Sequence, residues 1–173
     1  MYSFEPSRQA YEALNLKFRG DERQRSVRLA LGTAPGRATL WADRAGSGLG
    51  SLVQRDLAHL DLDFGYQENV EVESLDSWCE EAAVQPSLVK LDVEGHELEV
   101  IRGGQKTLQN VYVLQFEFGG CNVDSRVFFR DLYSALRDLG FKLARITPRG
   151  TLAITRYDQS CEVFETTNYV AYR

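Results

Sequence analysis

The chain has 173 residues, of which 43% are apolar, and this length predicts one domain, residues 1–173, with its own hydrophobic core. A net charge of −5 and the lack of any long cluster of lysine and arginine argue against nucleic acid as a partner. No window approaches the roughly 18 apolar residues that span a bilayer, and the N-terminus lacks a basic and apolar leader, so we expect a cytoplasmic protein without a membrane partner.

The N-terminal part of the chain is predicted to form strands around one helix. A short strand over residues 2–4 leads into Glu-Pro-Ser at 5–7, which suits the first turn of a helix. Apolar residues then recur at spacings of three and four over residues 10–18, as on the buried face of a helix. Residues 26–31 alternate like a strand, and residues 37–42 are placed to pair with them after a Pro-Gly turn.

The middle of the chain changes from an irregular segment to regular elements. Residues 45–69 begin rich in glycine and serine and continue polar, which predicts a flexible insertion beside a site. A short strand over residues 70–72 and a helix over 74–83 follow, and Pro86 breaks the pattern. Residues 87–93 are almost continuously apolar, as expected for an interior strand of a parallel sheet.

The C-terminal part again alternates helices with strands. A helix after Gly95 contains a weak point at Gly103-Gly104, and an apolar strand over residues 111–116 ends at Glu117. A strongly amphipathic helix covers residues 128–139. The last strands are predicted over residues 141–146, 152–155 and 169–172. This alternation predicts an α/β fold with a mainly parallel sheet.

Carboxylates follow three of the predicted strands. Glu5 closes the first strand, Asp92 and Glu94 close the central one, and Glu117 closes the next. Ligands of open parallel sheets bind outside the carboxyl ends of the strands, and strand alternation would point Asp92 and Glu94 into one crevice. Asp92 is the first candidate for chemistry, because its apolar neighbours would leave an idle charge poorly solvated.

Simpler interpretations exist for these polar residues. Glu5, Glu94 and Glu97 could each stabilise the N-terminus of the following helix. His96 is predicted at the exposed start of a helix, which weakens it as a general base. The chain has no nucleophilic triad, P-loop or GxGxxG, and no zinc-type spacing, so no metal site is predicted. A carboxylate-dependent metal hydrolase is the least favoured alternative.

Several segments, in order, resemble the motifs of FkbM-family methyltransferases. They are FEP at residues 4–6, the turn at 47–52, the long segment 88–104 that contains KLDVEGHE at 90–97, and FEF at 116–118. The resemblance covers essentially the whole chain. It implies a Rossmann-like class I methyltransferase fold with an antiparallel last strand, S-adenosyl-L-methionine as cofactor, and methylation of a hydroxyl group on a sugar or natural product.

The resemblance also implies which residues contact the cofactor. Glu5 matches the acid that accepts hydrogen bonds from both ribose hydroxyls, a role that suits the two oxygens of a carboxylate. Leu31 and Ser51 match positions near the adenine. Asp92 matches an acid that faces the methionine end of the cofactor.

The catalytic residues implied by the resemblance are Asp92, Glu94 and Glu117. Methyl transfer is an in-line displacement that needs an aligned acceptor oxygen and a base for its proton. Asp92 or Glu94 is expected to be that base. Glu117 is expected to orient the acceptor or to bind nothing.

One family feature has no counterpart in the printed sequence. Family members have a first strand that ends in an Asp-x-Gly-Ala-Asn-x-Gly-like loop and lies between the strands that end at Glu5 and Asp92, whereas Met1 here precedes Glu5 by only a few residues. We therefore expect an N-terminally incomplete domain that is missing this first strand. Two outcomes follow: a methyltransferase, or a non-catalytic binding or assembly subunit whose sheet is completed by a partner chain or a second copy.

Overall fold

The computed structural model describes residues 1–173 as ten strands, six α-helices and two short 3-10 turns. The strands are β1 (Tyr2–Phe4), β2 (Arg25–Val27), β3 (Ala30–Gly32), β4 (Gly36–Ala42), β5 (Tyr66–Ser74), β6 (Leu88–Leu91), β7 (Val113–Phe118), β8 (Lys142–Thr147), β9 (Gly150–Ile154) and β10 (Thr167–Tyr172). The helices are α1 (Arg8–Lys17), α2 (Leu75–Glu81), α3 (Glu97–Gly103), α4 (Gln105–Leu108), α5 (Cys121–Ser125) and α6 (Phe129–Asp138). None of these helices is long and apolar enough to cross a membrane.

The strands form three sheets of mixed direction. The largest has the order β6-β7-β10-β8-β9, a second has the order β3-β5-β4, and β1 pairs with β2. Only the pairs β1/β2, β3/β5 and β6/β7 are parallel, so the prediction of a mainly parallel sheet is wrong. The α/β class and an antiparallel last strand are confirmed, since β10 runs antiparallel to both β7 and β8.

The predicted strand over residues 26–31 is two strands in different sheets. The chain turns after β2, where the Leu29 N–H donates to the Val27 carbonyl at 3.1 Å. The expected pairing of residues 37–42 with this segment is also wrong, because β5 lies between β3 and β4 and pairs with both. At nine residues, β5 is much longer than the predicted strand at 70–72, and it pairs with β4 over seven residues and with β3 over three.

The segment 45–69 is packed against the domain and is not a separate insertion. Ser51 and Trp41 exchange two backbone hydrogen bonds, at 2.8 and 2.9 Å, which close the glycine-rich turn onto β4. Leu57 and Phe64 are buried. The apolar residues are too widely spaced to show a period, and for this reason the sequence did not predict the packing.

The main hydrophobic core lies between the largest sheet and helices α3 and α6. Phe129 at the start of α6 stacks near Phe116 of β7 and Tyr169 of β10, with ring centroids 6.4 and 4.6 Å away. All three side chains are at most 1% exposed. This aromatic packing fixes β7, and β7 in turn holds β6, at whose end the central motif begins.

Two glycines set the position of α3. The chain breaks at Gly104 between α3 and α4, which confirms the predicted weak point. A Cβ on Gly103 would collide with the Gly32 carbonyl oxygen, so only glycine lets α3 approach β3 this closely. The start of α3 is thereby held beside the carboxyl ends of β3 and β6.

Truncation of Phe129 tests this account of the core. We expect Phe129→Ala to lower the free energy of unfolding by about 3–5 kcal/mol, because a fully buried aromatic side chain is lost and a cavity remains. Urea denaturation measures the loss. Phe128→Ala is the matched control: Phe128 is 47% exposed, and we expect a loss of about 1 kcal/mol or less. Equal losses would contradict the packing described.

Candidate active site

A cavity of about 490 Å³ lies between β1 and β6. Residues of β1, the segment 5–7, the segment 29–31 and the turn 47–52 form one side, and β6 with residues 92–96 forms the other. Half of its 22 lining residues are hydrophobic. Acidic residues at the ends of β1 and β6 therefore line a space that is about half apolar, a mixture that suits a small-molecule site.

Glu5 lies at the rim of this cavity, directly after β1. Its Oε1 accepts a hydrogen bond from the Ser7 N–H at 2.9 Å, which fixes the carboxylate at the start of α1. Burial raises the pKa of Glu5, the Ser7 hydrogen bond opposes that shift, and the nearby charge of Glu68 adds to it. The predicted cofactor residue thus lines the cavity together with Leu31.

Three predicted catalytic residues meet at one point. β6 ends at Leu91, so Asp92 and Glu94 lie in a turn and not on a strand. Nevertheless, one carboxylate oxygen from each of Asp92, Glu94 and Glu117 lies within 4.8 Å of the others. The spacing is also compatible with a bound cation, since divalent metals such as Mg²⁺ prefer oxygen ligands, although the sequence predicted no metal site.

Asp92 is more exposed than its apolar neighbours suggested. Its side chain retains 48% of its accessible surface and accepts a contact from the Lys90 ammonium at 2.7 Å. The prediction of poor solvation is therefore wrong, because the chain leaves the sheet before Asp92. Glu117 is half-buried at the end of β7, outside the cavity wall, and burial followed by repulsion from Asp92 and Glu94 raises its pKa.

Arg55 pairs with Glu94 and was not foreseen from the sequence. Its Nη1 lies 2.7 Å from Glu94 Oε2, and its Nε lies 3.5 Å from Asp124 Oδ2. The Arg55 side chain is only 10% exposed. Burial raises the pKa of Glu94, and the Arg55 guanidinium opposes the shift. No pattern in the segment 45–69 distinguishes this arginine from surface ones.

Ser51 contacts the turn and not the cavity. Its hydroxyl donates to the Glu94 carbonyl at 2.8 Å and accepts from the Val53 N–H at 3.0 Å, and the residue is 1% exposed. The neighbours Gly50 and Leu52 line the cavity instead. A contact between Ser51 and a cofactor remains a prediction.

His96 is half-buried and lines the cavity, so the prediction of an exposed helix start is wrong. It lies where α3 approaches β3, with Nε2 3.4 Å from the position that a Cβ on Gly32 would take. Burial lowers the pKa of His96, and the charge of Glu99 opposes this shift. The close approach through Gly103, which no local pattern indicates, is the cause of this burial.

Glu97 is a second residue whose environment the sequence did not indicate. It is the first residue of α3 and is fully buried. Its Oε1 accepts from the Val93 N–H at 3.2 Å and from the Gly95 N–H at 3.4 Å, whereas Oε2 has no hydrogen-bond partner. Burial raises the pKa of Glu97 to about 7.

Comparisons with known proteins found one family model and two similar proteins. Residues 1–143 match the family model of the methyltransferase FkbM domain. The 2-O-methyltransferase NoeI of Sinorhizobium fredii is 35% identical to this chain over 86 residues. The aligned region covers 47% of this chain and 34% of NoeI. The crystal structure of methyltransferase FkbM from Methylobacillus flagellatus matches 99% of the chain with a TM-score of 0.56 at 14% identity, which supports the fold alone.

These relatives are longer proteins. The matched part amounts to 34% of NoeI and 36% of the Methylobacillus chain. The chain therefore spans about a third of the length of either relative.

Removal of Arg55 tests the electrostatics of the acidic cluster. We expect Arg55→Met to raise the pKa of Glu94 further, because the buried carboxylate loses its cation while its desolvation remains. Carboxyl ¹³C chemical shifts followed through a pH titration measure this change. Arg37→Met removes an 80% exposed arginine paired with Glu71 and should leave Glu94 unchanged. A Glu94 pKa that does not rise in Arg55→Met would contradict the pairing.

The buried Glu97 predicts a pH dependence of stability. Its pKa is about 7 in the folded chain and 4.5 in its ordinary state, so between these values the folded state binds more protons than the unfolded state. The stabilisation contributed by Glu97 is therefore expected to fall as pH rises from about 4.5 to about 7, by about 3 kcal/mol at 1.36 kcal/mol per unit.

Urea denaturation at several pH values measures this slope. In Glu97→Gln the free energy of unfolding should change less with pH, by the contribution of Glu97, because the amide does not titrate. Glu81→Gln, at an exposed position of α2, should retain the wild-type slope. A slope that is the same in wild type and Glu97→Gln would mean that Glu97 does not titrate in this range.

Proposed function

We propose that this chain, which belongs to the methyltransferase FkbM family, is an S-adenosyl-L-methionine-dependent methyltransferase that acts on a hydroxyl group of a sugar or natural product. The observation that carries the proposal is a single cavity with Glu5 at one rim and the Asp92–Glu94 turn at the other. The name of the relative NoeI, a 2-O-methyltransferase, favours an oxygen acceptor. A cytoplasmic location belongs to the same proposal.

The cavity fits the chemistry of this cofactor. Its volume is in the range of sites for drug-sized ligands, and Leu31, Leu40 and Leu52 give it an apolar wall suited to a purine ring. The Glu5 carboxylate uses Oε1 for the Ser7 N–H and leaves Oε2 without a partner in the chain. Two neighbouring ribose hydroxyls are donors of the kind that such a carboxylate accepts. When bound, the cofactor supplies an electrophilic methyl group.

Asp92 is the better candidate for the base that accepts the proton of the acceptor hydroxyl. Both acids have a cation at 2.7 Å, but the Arg55–Glu94 pair is the more buried one, whereas water weakens the half-exposed Lys90–Asp92 pair. Asp92 lines the cavity, is half-exposed and can reach an incoming molecule. Glu94 and Glu117, within 4.8 Å of it, are placed to orient the acceptor by hydrogen bonds.

A second proposal is a binding or assembly subunit that a partner chain or a second copy completes. It is supported by the edges of β1 and β6: each strand pairs on one side only, and the other edges border the cavity. Unpaired backbone edges readily accept a further strand. A class I methyltransferase sheet without its first strand would present the same two edges, so both proposals start from this geometry.

Calorimetric titration with S-adenosyl-L-methionine separates the two proposals. Binding by the chain alone, or by a longer protein that includes any coding sequence found upstream of Met1, supports the enzyme. If neither protein binds the cofactor, the methyltransferase proposal is wrong. If light scattering then also shows a stable dimer, the assembly subunit is favoured.

Glu5→Ala tests the assignment of the cofactor residue. We expect the affinity for S-adenosyl-L-methionine to fall at least about tenfold, since a hydrogen bond to a charged group contributes about 1.5–3 kcal/mol. Calorimetry measures the affinity in whichever protein binds. Glu12→Ala, at a 68% exposed position of α1, is the control and should bind normally. Unchanged affinity in Glu5→Ala would remove Glu5 from the cofactor site.

Asp92→Asn tests the proposed base. We expect turnover to fall about 100-fold or more, the usual contribution of a general base, with little change in cofactor affinity. Transfer of a radiolabelled methyl group to a panel of glycans and natural products measures turnover. Asp138→Asn, at the exposed end of α6, should be fully active. A fully active Asp92→Asn would show that Asp92 is not the base.

A further inference from the structure

We infer that Glu97 is a positioning residue whose buried carboxyl group holds the turn that carries Asp92 and Glu94. The claim about the turn rests on the geometry of the chain. Its consequence for turnover rests on the proposed methyltransferase function. The residue contacts neither the cavity nor the three clustered carboxylates, and it acts through the backbone between them.

The turn needs an external support. Glu94 and Gly95 both have positive φ, 52° and 98°, and a non-glycine residue in the left-handed region is energetically unfavourable unless its surroundings hold it there. Glu97 Oε1 accepts from the N–H groups of Val93 and Gly95, which flank Glu94 on either side. One carboxyl oxygen thus ties together the two amides between which the left-handed residue lies.

A simple role at the helix terminus does not account for Glu97. The other acid in the first turn of α3, Glu99, stays partly exposed and pairs with the exposed Thr33 and Arg102. Glu97 is fully buried, and burial of a carboxyl group is costly without a compensating interaction. Its oxygen is directed backwards to amides that precede the helix.

Neighbouring groups also restrain the turn. A Cβ on Gly95 would lie 2.9 Å from the Cys121 carbonyl oxygen, so the turn is packed tightly against the start of α5. The Ser51 hydroxyl holds the Glu94 carbonyl from the opposite element. With the Glu97 contact removed, the amides of Val93 and Gly95 lose their side-chain acceptor, and the left-handed conformation at Glu94 loses one of its restraints.

The comparison of Glu97→Gln with Glu97→Met tests the inference. Glutamine keeps an oxygen where Oε1 lies, whereas methionine has similar length and no acceptor. In Glu97→Met we expect amide hydrogen exchange at Val93 and Gly95 to accelerate at least tenfold. We expect kcat to fall about 100-fold, the cost of misplaced reacting groups, with KM and cofactor affinity nearly unchanged. Glu97→Gln should restore both amide protection and kcat.

A measurement on the wild-type chain covers the case in which Glu97→Met does not fold. The amide ¹H and ¹⁵N shifts of Val93 and Gly95 should follow the titration of Glu97, at whatever pH it occurs, and this transition should vanish in Glu97→Gln. Absence of the transition in wild type, or normal amide protection in a folded Glu97→Met, would overturn the inference. These backbone signals are independent of methyl transfer, so a failure of the proposed function is recognised separately, by the absence of cofactor binding.

Discussion

The turn from Asp92 to Gly95 is the constraint on which the site depends. It converts the end of β6 into the start of α3, and it is held from three sides: by the Glu97 carboxyl, by the Ser51 hydroxyl and by the Cys121 backbone. Each contact comes from a different element, so the packing of the whole domain is needed to fix it. Without this turn, Asp92 and Glu94 would not be held close to Glu117, because β6 ends at Leu91, before both of them.

The charges of the three clustered carboxylates repel one another, so the fold has to hold these side chains together. Asp92, Glu94 and Glu117 repel one another, and burial raises the pKa of the latter two. Lys90 compensates at the exposed side and Arg55 at the buried side. The interaction with Arg55 is the less screened one, because a pair removed from water is attenuated less by solvent and salt. The segment 45–69 is therefore part of the site through its charge, and Asp92 is left as the most accessible acid.

The local sequence pattern predicted the individual helices and strands better than it predicted which of them lie next to each other. The amphipathic period of α6 and the break at Gly104 are properties of a few adjacent residues, and both were predicted correctly. The order β3-β5-β4 and the burial of His96 depend on contacts between distant segments, above all the close approach through Gly103. The cluster of acids was anticipated because strand ends share an edge of a sheet. Arg55 and the buried Glu97 were missed because charge and helix-start position give no sign of burial.

The geometry of the cavity makes the two proposals, binding of a cofactor and completion of the sheet, compatible with each other. The free edges of β1 and β6 border the length of the cavity, whereas Glu5 and Asp92 lie at its carboxyl end. An added strand would pair with the two edges and occupy the part of the cavity between them, and it would leave the end at Glu5 and Asp92 open to a ligand. The added strand would then also contact a ligand bound at that end. Under the proposed function, completion of the sheet is expected to strengthen cofactor binding by enclosing the site.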